Sequence, residues 1–132
     1  MTAMLPAFLI PETTVQENGE GPATAVTAQA GVIQLTLGIT RITEQESIDV
    51  TIWGSADKTE WGKNPMAGFP QKFYCGTYSI MVDLSTHPEV NWIQVRWHVN
   101  RWGRGSLKPL FSFYVFAQTA KPSPLVAGAR NS

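Results

Sequence analysis

The stretch Ser47–Trp61, SIDVTIWGSADKTEW, decides how the chain is read. Ile48, Val50 and Ile52 alternate with Asp49, Thr51 and Trp53. That is a period of two, the spacing of a strand with one apolar and one mixed face. Gly54-Ser55-Ala56-Asp57 ends the run with residues that favour turns. The rest of the chain supplies partners for this strand.

Downstream, Val90–Val99 repeats the alternation most clearly, with Ile93, Val95, Trp97 and Val99 on one face and Trp92, Gln94, Arg96 and His98 on the other. Thr77–Leu84 turns Tyr78, Ile80, Val82 and Leu84 inward, and Gln71–Cys75 is expected to form a short strand before it. Pro109–Gln118 is apolar on both faces, so it belongs in a central or covered position. Upstream, Gly31–Arg41 puts Ile33, Leu35, Leu37 and Ile39 on one face, and Gly38 on the other predicts a bulge or a close backbone approach. Ala23–Gln29 reads as a further short strand. Asp57–Pro70 reads as a long loop whose Trp61 and Phe69 fold back over a sheet end. No segment has sustained helical periodicity. Some seven or eight strands, spaced by about ten residues, predict an all-β, antiparallel two-sheet β-sandwich or jelly roll.

The segments flanking this body read as extended N- and C-terminal arms. Residues 1–22 contain Pro6, Pro11, Gly19, Gly21 and Pro22, which exclude a long helix or a central strand. Leu5, Phe8, Leu9 and Ile10 are too apolar for a free tail, so this arm is expected to dock on its own domain or on a neighbour. Residues 119–132, with Pro122 and Pro124, read as the second arm, leaving 23–118 as the sandwich domain.

The chain has 132 residues, 43% hydrophobic and 15% charged, enough for one domain with a real core. Its net charge is zero, so no global field draws it to nucleic acid or to an anionic membrane. The charges are nonetheless segregated. Residues 1–60 hold eight acids and two bases, a charge of −6, and residues 61–132 hold eight bases and two acids, a charge of +6. Either copies attract through opposite poles, or folding interleaves the halves. No run is long enough to span a bilayer, and the apolar stretch Met4–Ile10 lacks the basic flank and the length of a secretion signal. A cytoplasmic location, or the interior of a particle or complex, is the expectation.

Cys75 is the only cysteine, so no disulfide forms within the chain, and its expected role is a buried structural thiol. His87 lies before Pro88 in a turn and His98 on a strand, and metal binding needs three or four converging ligands. No metal, cofactor or catalytic set is therefore predicted. Asp49, Asp57, Glu60 and Asp83 are explained by turns and solvated strand faces.

The pattern strand–Gly54-Ser55-Ala56-Asp57–Trp61 resembles the strand, GS-x-D-G-x-x-W segment of discoidin-type, galactose-binding-like sandwiches. Gly76-Thr77-Tyr78 and Trp92-Ile93-Gln94-Val95-Arg96 are similar to the second half of that family, where an aromatic precedes an IRV-like strand. The resemblance covers roughly residues 47–117 and implies a sandwich and, as a function, carbohydrate binding. Lys58 stands where the family prefers glycine, and the family's two terminal cysteines are missing, so no binding residue is carried over.

Arg96–Gly105 interleaves cations with indoles: Arg96, Arg101 and Arg104 with Trp97 and Trp102. Trp and Arg are favoured anchors of protein interfaces. The same residues would stack on sugars or bases, or the guanidinium groups would stack on the loop's own indoles. Trp53 and Trp92 are placed on outward faces, where an arm or a partner is expected to cover them. The sequence thus predicts a non-enzymatic structural or accessory subunit of a larger protein assembly. Its contacts would be Leu5, Phe8, Leu9, Ile10, Trp53, Trp61, Trp92, Arg96, Arg101, Trp102 and Arg104, and its partners other protein subunits. The alternative is a carbohydrate-binding module whose loop tryptophans Trp61 and Trp102 meet a glycan; nucleic acid is disfavoured.

Overall fold

The alternating runs pair as two antiparallel sheets in the computed structural model, which describes residues 5–43, 45–102 and 108–120. The strands are β1 (Ala7–Val15), β2 (Gly19–Glu20), β3 (Thr24–Ala25), β4 (Val32–Ile42), β5 (Glu46–Ser55), β6 (Ala67–Gly68), β7 (Gly76–Asp83), β8 (Trp92–Arg101) and β9 (Phe111–Thr119). One sheet has four strands in the order β1-β9-β4-β7. The other has five, β2-β8-β5-β6, with β3 also on β8. This is an all-β sandwich.

The core lies where the two apolar rows meet. Ile33, Leu35, Leu37 and Ile39 of β4 and Phe111, Phe113, Val115 and Ala117 of β9 face Ile48, Val50 and Ile52 of β5 and Ile93, Val95 and Val99 of β8, all of them buried. Trp97 joins this row, its ring edge-on to Phe113 at 5.4 Å across the two sheets. As its two apolar faces require, β9 is an interior strand, between β1 and β4.

In both sheets the strand order alternates between the acidic first half of the chain and the basic second half. Folding therefore interleaves the charges. The opposite poles visible in the linear sequence do not persist along the strands.

Several expectations are corrected. Residues 7–15 are a strand, not an arm: β1 pairs with β9, with register shifts between Phe8 and Ile10 and between Ile10 and Thr13. Such irregularities let consecutive residues turn to one side. Leu9 and Ile10 are accordingly both buried in the chain's own core, and Leu5 packs against it. Ala23–Gln29 contributes only the two-residue β3, followed by a 3-10 turn at Ala28–Ala30. Gln71–Cys75 is no strand; only Lys72 bridges to Ile48. Cys75 is exposed, not buried, because it lies in this connection just before Gly76 opens β7. The second arm begins later than expected, since Thr119 still belongs to β9 and Ala120 N donates to the Val32 carbonyl. The rest of that arm, residues 121–132, lies outside the described residues.

Gly38 meets the expectation of a close approach. The Tyr114 ring lies over it, and a Cβ there would overlap the ring.

Among the described residues, Glu46 is the one buried carboxylate. It is in phase with Ile48, Val50 and Ile52 of the inward row. Its Oε2 accepts from Thr43 N at 2.7 Å and its Oε1 from Leu110 N at 2.8 Å. The side chain thus ties the β4–β5 connection to the start of β9. Replacing it by alanine leaves two backbone N–H groups unsatisfied. Glu46→Ala is expected to cost about 2–4 kcal/mol and Glu46→Gln about half of that. Urea denaturation checks this, and a midpoint unchanged in Glu46→Ala would refute the role.

Candidate functional site

The outward face of the β2-β8-β5-β6 sheet carries the indoles singled out in the sequence. Trp53 and Trp92 do point outward and are half-buried. The Arg96 guanidinium lies 4.3 Å from the Trp53 ring and 5.8 Å from Trp61, and Lys58 Nζ lies 4.4 Å above Trp92. Among the described residues, then, the cover expected of an arm or a partner comes instead from cations of this chain. They belong to β8 and to the turn after β5.

Arg96, Trp53, Trp61 and Lys58 are each held by hydrogen bonds. Arg96 Nε donates to Gln94 Oε1, and Gln94 Nε2 donates to the Gly21 carbonyl, both at 3.0 Å. Trp53 Nε1 donates to Thr51 Oγ1 and Trp61 Nε1 to the Lys58 carbonyl. Lys58 adopts φ 71°, the left-handed region that favours glycine. The turn in front of it enforces that geometry. Ser55 Oγ accepts from the N–H groups of Asp57 and Lys58, and Asp57 Oδ1 accepts from those of Thr59 and Glu60.

Three indoles, a guanidinium and an ammonium thus lie together on this face. Cation–π contacts of this kind contribute about 0.5–1 kcal/mol each at exposed sites. For Arg96–Gly105 the sequence leaves open a stacking of guanidinium groups on the indoles of that stretch; in the structure Arg96 stacks on Trp53 and Trp61.

The second aromatic group is at one end of the sandwich. Trp102 is 54% exposed, its ring 6.0 Å from Phe73, which in turn lies 6.5 Å from Tyr74. Phe73 and Tyr74 line a recess of about 340 Å³ with Ile42, Thr43 and Gln45. Arg101, expected at the surface, instead continues the inward row of β8 opposite Glu46. Its Nε and Nη1 are shielded from solvent and have no hydrogen-bond partner among the described residues. Arg104 lies outside the described residues.

The third group was incompletely seen in the sequence. Phe8 is 56% exposed on the outward face of the β1-β9-β4-β7 sheet. Its ring stands edge-on to Phe116 at 4.9 Å and to Tyr114 at 5.9 Å. With Pro11, Glu12 and Thr36 these rings line an open groove of about 440 Å³. Thr40 Oγ1 donates to Glu12 Oε2 at 2.8 Å and fixes the acid at its rim. No cation lies over these rings among the described residues. The signal for Tyr114 and Phe116 was present: both alternate out of phase with the buried row of β9.

Among the described residues no group of three or more His, Cys, Asp and Glu side chains is placed to hold a metal ion. Cys75 and His87 lie at opposite ends of β7, and His98 is on the other sheet. No described helix is long and apolar enough to cross a membrane. No family model matches the chain, and no curated protein matches it.

Asp57 is held well below the ordinary carboxylate value of 3.8, chiefly by the backbone N–H of Glu60, then by that of Thr59. Its contribution to stability is therefore complete above that value and is lost as the pH falls below it. Thermal melts are expected to show a steeper acid decline in the wild type than in Asp57→Asn, the difference opening only below about pH 4. Parallel curves across that range would show that the turn does not depend on the ionised carboxylate.

Proposed function

We propose that this chain is a non-enzymatic structural or accessory subunit of a larger protein assembly, with the groove at Phe8 as its contact surface. One observation carries the reading: the difference between the two outward faces. On one, each of Trp53 and Trp92 has a cation over it. On the other, Phe8, Tyr114 and Phe116 are grouped around an open groove with no such cover among the described residues. Grouped exposed apolar side chains rimmed by polar ones are what partners bury. Aromatic residues so placed are also the usual anchors of interface energy.

This reading narrows the contact set expected from the sequence. Leu9 and Ile10 serve the fold, and Trp53, Trp61, Trp92 and Arg96 serve one another. Phe8 remains, joined by Tyr114 and Phe116. Carbohydrate binding stands as a second reading on a separate observation, the exposed Trp102 beside Phe73 and Tyr74. Trp61 no longer supports it, since its indole is committed to the cation layer.

Gel filtration of a native extract, with the chain detected by antibody, tests the first reading. Wild type is expected well ahead of the isolated chain, and the double variant Phe8→Ser, Phe116→Ser at the isolated position with its melting temperature nearly unchanged. Both residues point outward, so the double variant should cost no more than about 1 kcal/mol. Wild type eluting as the isolated chain would overturn the proposal. Glycan-array binding abolished by Trp102→Ala would favour the second reading.

A further inference from the structure

The two sheets protect their lateral edges in different ways, and one edge has no protection among the described residues. β1 is interrupted by Pro11 and by two register shifts. β2, β3 and β6 are two residues long each. Past β6, the free side of β5 is also met by Met66, Phe69 and Lys72, each through a backbone hydrogen bond. Short strands, proline and bulges are the usual ways of blunting an edge. β7 has none of them. Its eight residues, GTYSIMVD, contain no proline and no charge before Asp83, and they pair along their whole length with β4 in unbroken register.

The direction of its free groups follows from the hydrogen bonds at the strand end. Leu84 N donates to the Gly31 carbonyl, while the next carbonyl of β4, that of Val32, accepts from Ala120 N on the far side. Alternation then turns the N–H and C=O groups of Tyr78, Ile80 and Val82 toward β4. Those of Thr77, Ser79, Met81 and Asp83 point away from the sheet. Thr86 Oγ1 occupies one lone pair of the Asp83 carbonyl. No described strand pairs with the others.

We infer that a second copy of this chain pairs with β7 edge to edge, about a two-fold axis at Ile80, joining two four-stranded sheets into one. The inference deepens the assembly reading and rests on it. Three features select a second copy and this register. A two-fold axis normal to the sheet keeps inward residues opposite inward ones, so the register must centre on a residue and not between two. Thr77–Asp83 is symmetric about Ile80, so Ser79 exchanges both backbone bonds with Met81 of the second copy and Asp83 N donates to the Thr77 carbonyl opposite it, while the Asp83 carbonyl keeps its bond from Thr86 Oγ1. The only charge, Asp83, then faces a threonine and not its own equivalent. On the inward side Ile80 meets Ile80 and Tyr78 meets Val82, which completes the half-buried Ile80, while the Tyr78 ring already has Lys72 Nζ 3.8 Å from its centroid. On the outward side the two Met81 side chains, 60% exposed in one copy, become diagonal neighbours.

Light scattering on gel-filtered protein over a concentration series, with the variants Ser79→Pro and Met81→Lys, tests this. Ser79 offers its N–H to the open side, so proline there removes an intermolecular donor and leaves the β4 pairing intact. The expected result is a dimer whose dissociation constant rises at least tenfold in both variants, with melting curves that still show a folded chain. It should be unaffected by the Phe8→Ser, Phe116→Ser pair. In wild type, amide exchange at Ser79 and Met81 should slow as concentration rises. A monomer at all concentrations up to about 1 mM would overturn the inference and leave the groove to its own gel-filtration test. A dimer lost with Phe8 and Phe116 but unchanged by Ser79→Pro would overturn it too, while upholding the assembly reading.

Discussion

A strand that is apolar on both faces has no stable place at an edge, and β9 is such a strand. Phe111, Phe113, Val115 and Ala117 line one face, Tyr114 and Phe116 the other. It needs a strand on each side and a sheet across from it. The strands it takes, β1 and β4, both come from the first part of the chain. β8 takes its neighbours β2, β3 and β5 from there as well. The alternation of chain halves is thus the consequence of where the apolar strands have to sit. It draws the N-terminal segment into the sheet, turns Leu9 and Ile10 into core residues, and disperses a charge separation that is large in the linear sequence.

How much of this was legible depended on whether a segment obeys period two. β4, β5, β7, β8 and β9 do, and their inward rows are readable nearly residue for residue. β1 does not. Leu9 and Ile10 are adjacent and both apolar, a pattern no regular strand can bury on one side, and Pro11 comes next. The register shifts in β1 resolve that conflict, but they exist only in relation to β9. β2, β3 and β6 are too short for any period to show. Glu46 and Arg101 are in phase with inward rows, yet their charge argues for the surface, and phase prevails. Glu46 escapes the cost of burial because two backbone N–H groups converge on it, one from 64 residues away. Cys75 is the reverse case, since a thiol's average preference says nothing of a connection that runs outside both sheets.

The candidate surface was legible in kind but not in location. Surplus indoles stand out in the sequence, and alternation assigns their faces correctly. It cannot show that Arg96 and Lys58, separated from Trp53 and Trp92 along the chain, arrive over those rings. β8 and β5 are neighbours with Trp53 opposite Gln94 and Ser55 opposite Trp92, so side chains of one strand lie beside those of the other. An indole beneath a guanidinium keeps an amphipathic surface toward water and has less need of a partner. Of the two outward sheet faces, the one whose aromatic rings have no cation over them among the described residues is therefore that of Phe8, Tyr114 and Phe116.

That grouping of rings is not a residue of imperfect packing. Tyr114 could not lie flat on β4 if position 38 had a side chain, because the ring occupies the space a Cβ would need. With Gly38 beneath it, the ring presses onto the backbone, a way for an aromatic on the adjacent strand to shelter a glycine that would otherwise weaken the sheet. Phe8, Pro11 and Glu12 of β1, Thr36 of β4 and Tyr114 and Phe116 of β9 line the groove, and Glu12 is secured at its rim from Thr40, on the far side of β9. A surface shaped jointly by β1, β4 and β9 cannot form before the sheet does. It is a product of the finished fold, and a partner that reads it reads the folded state alone.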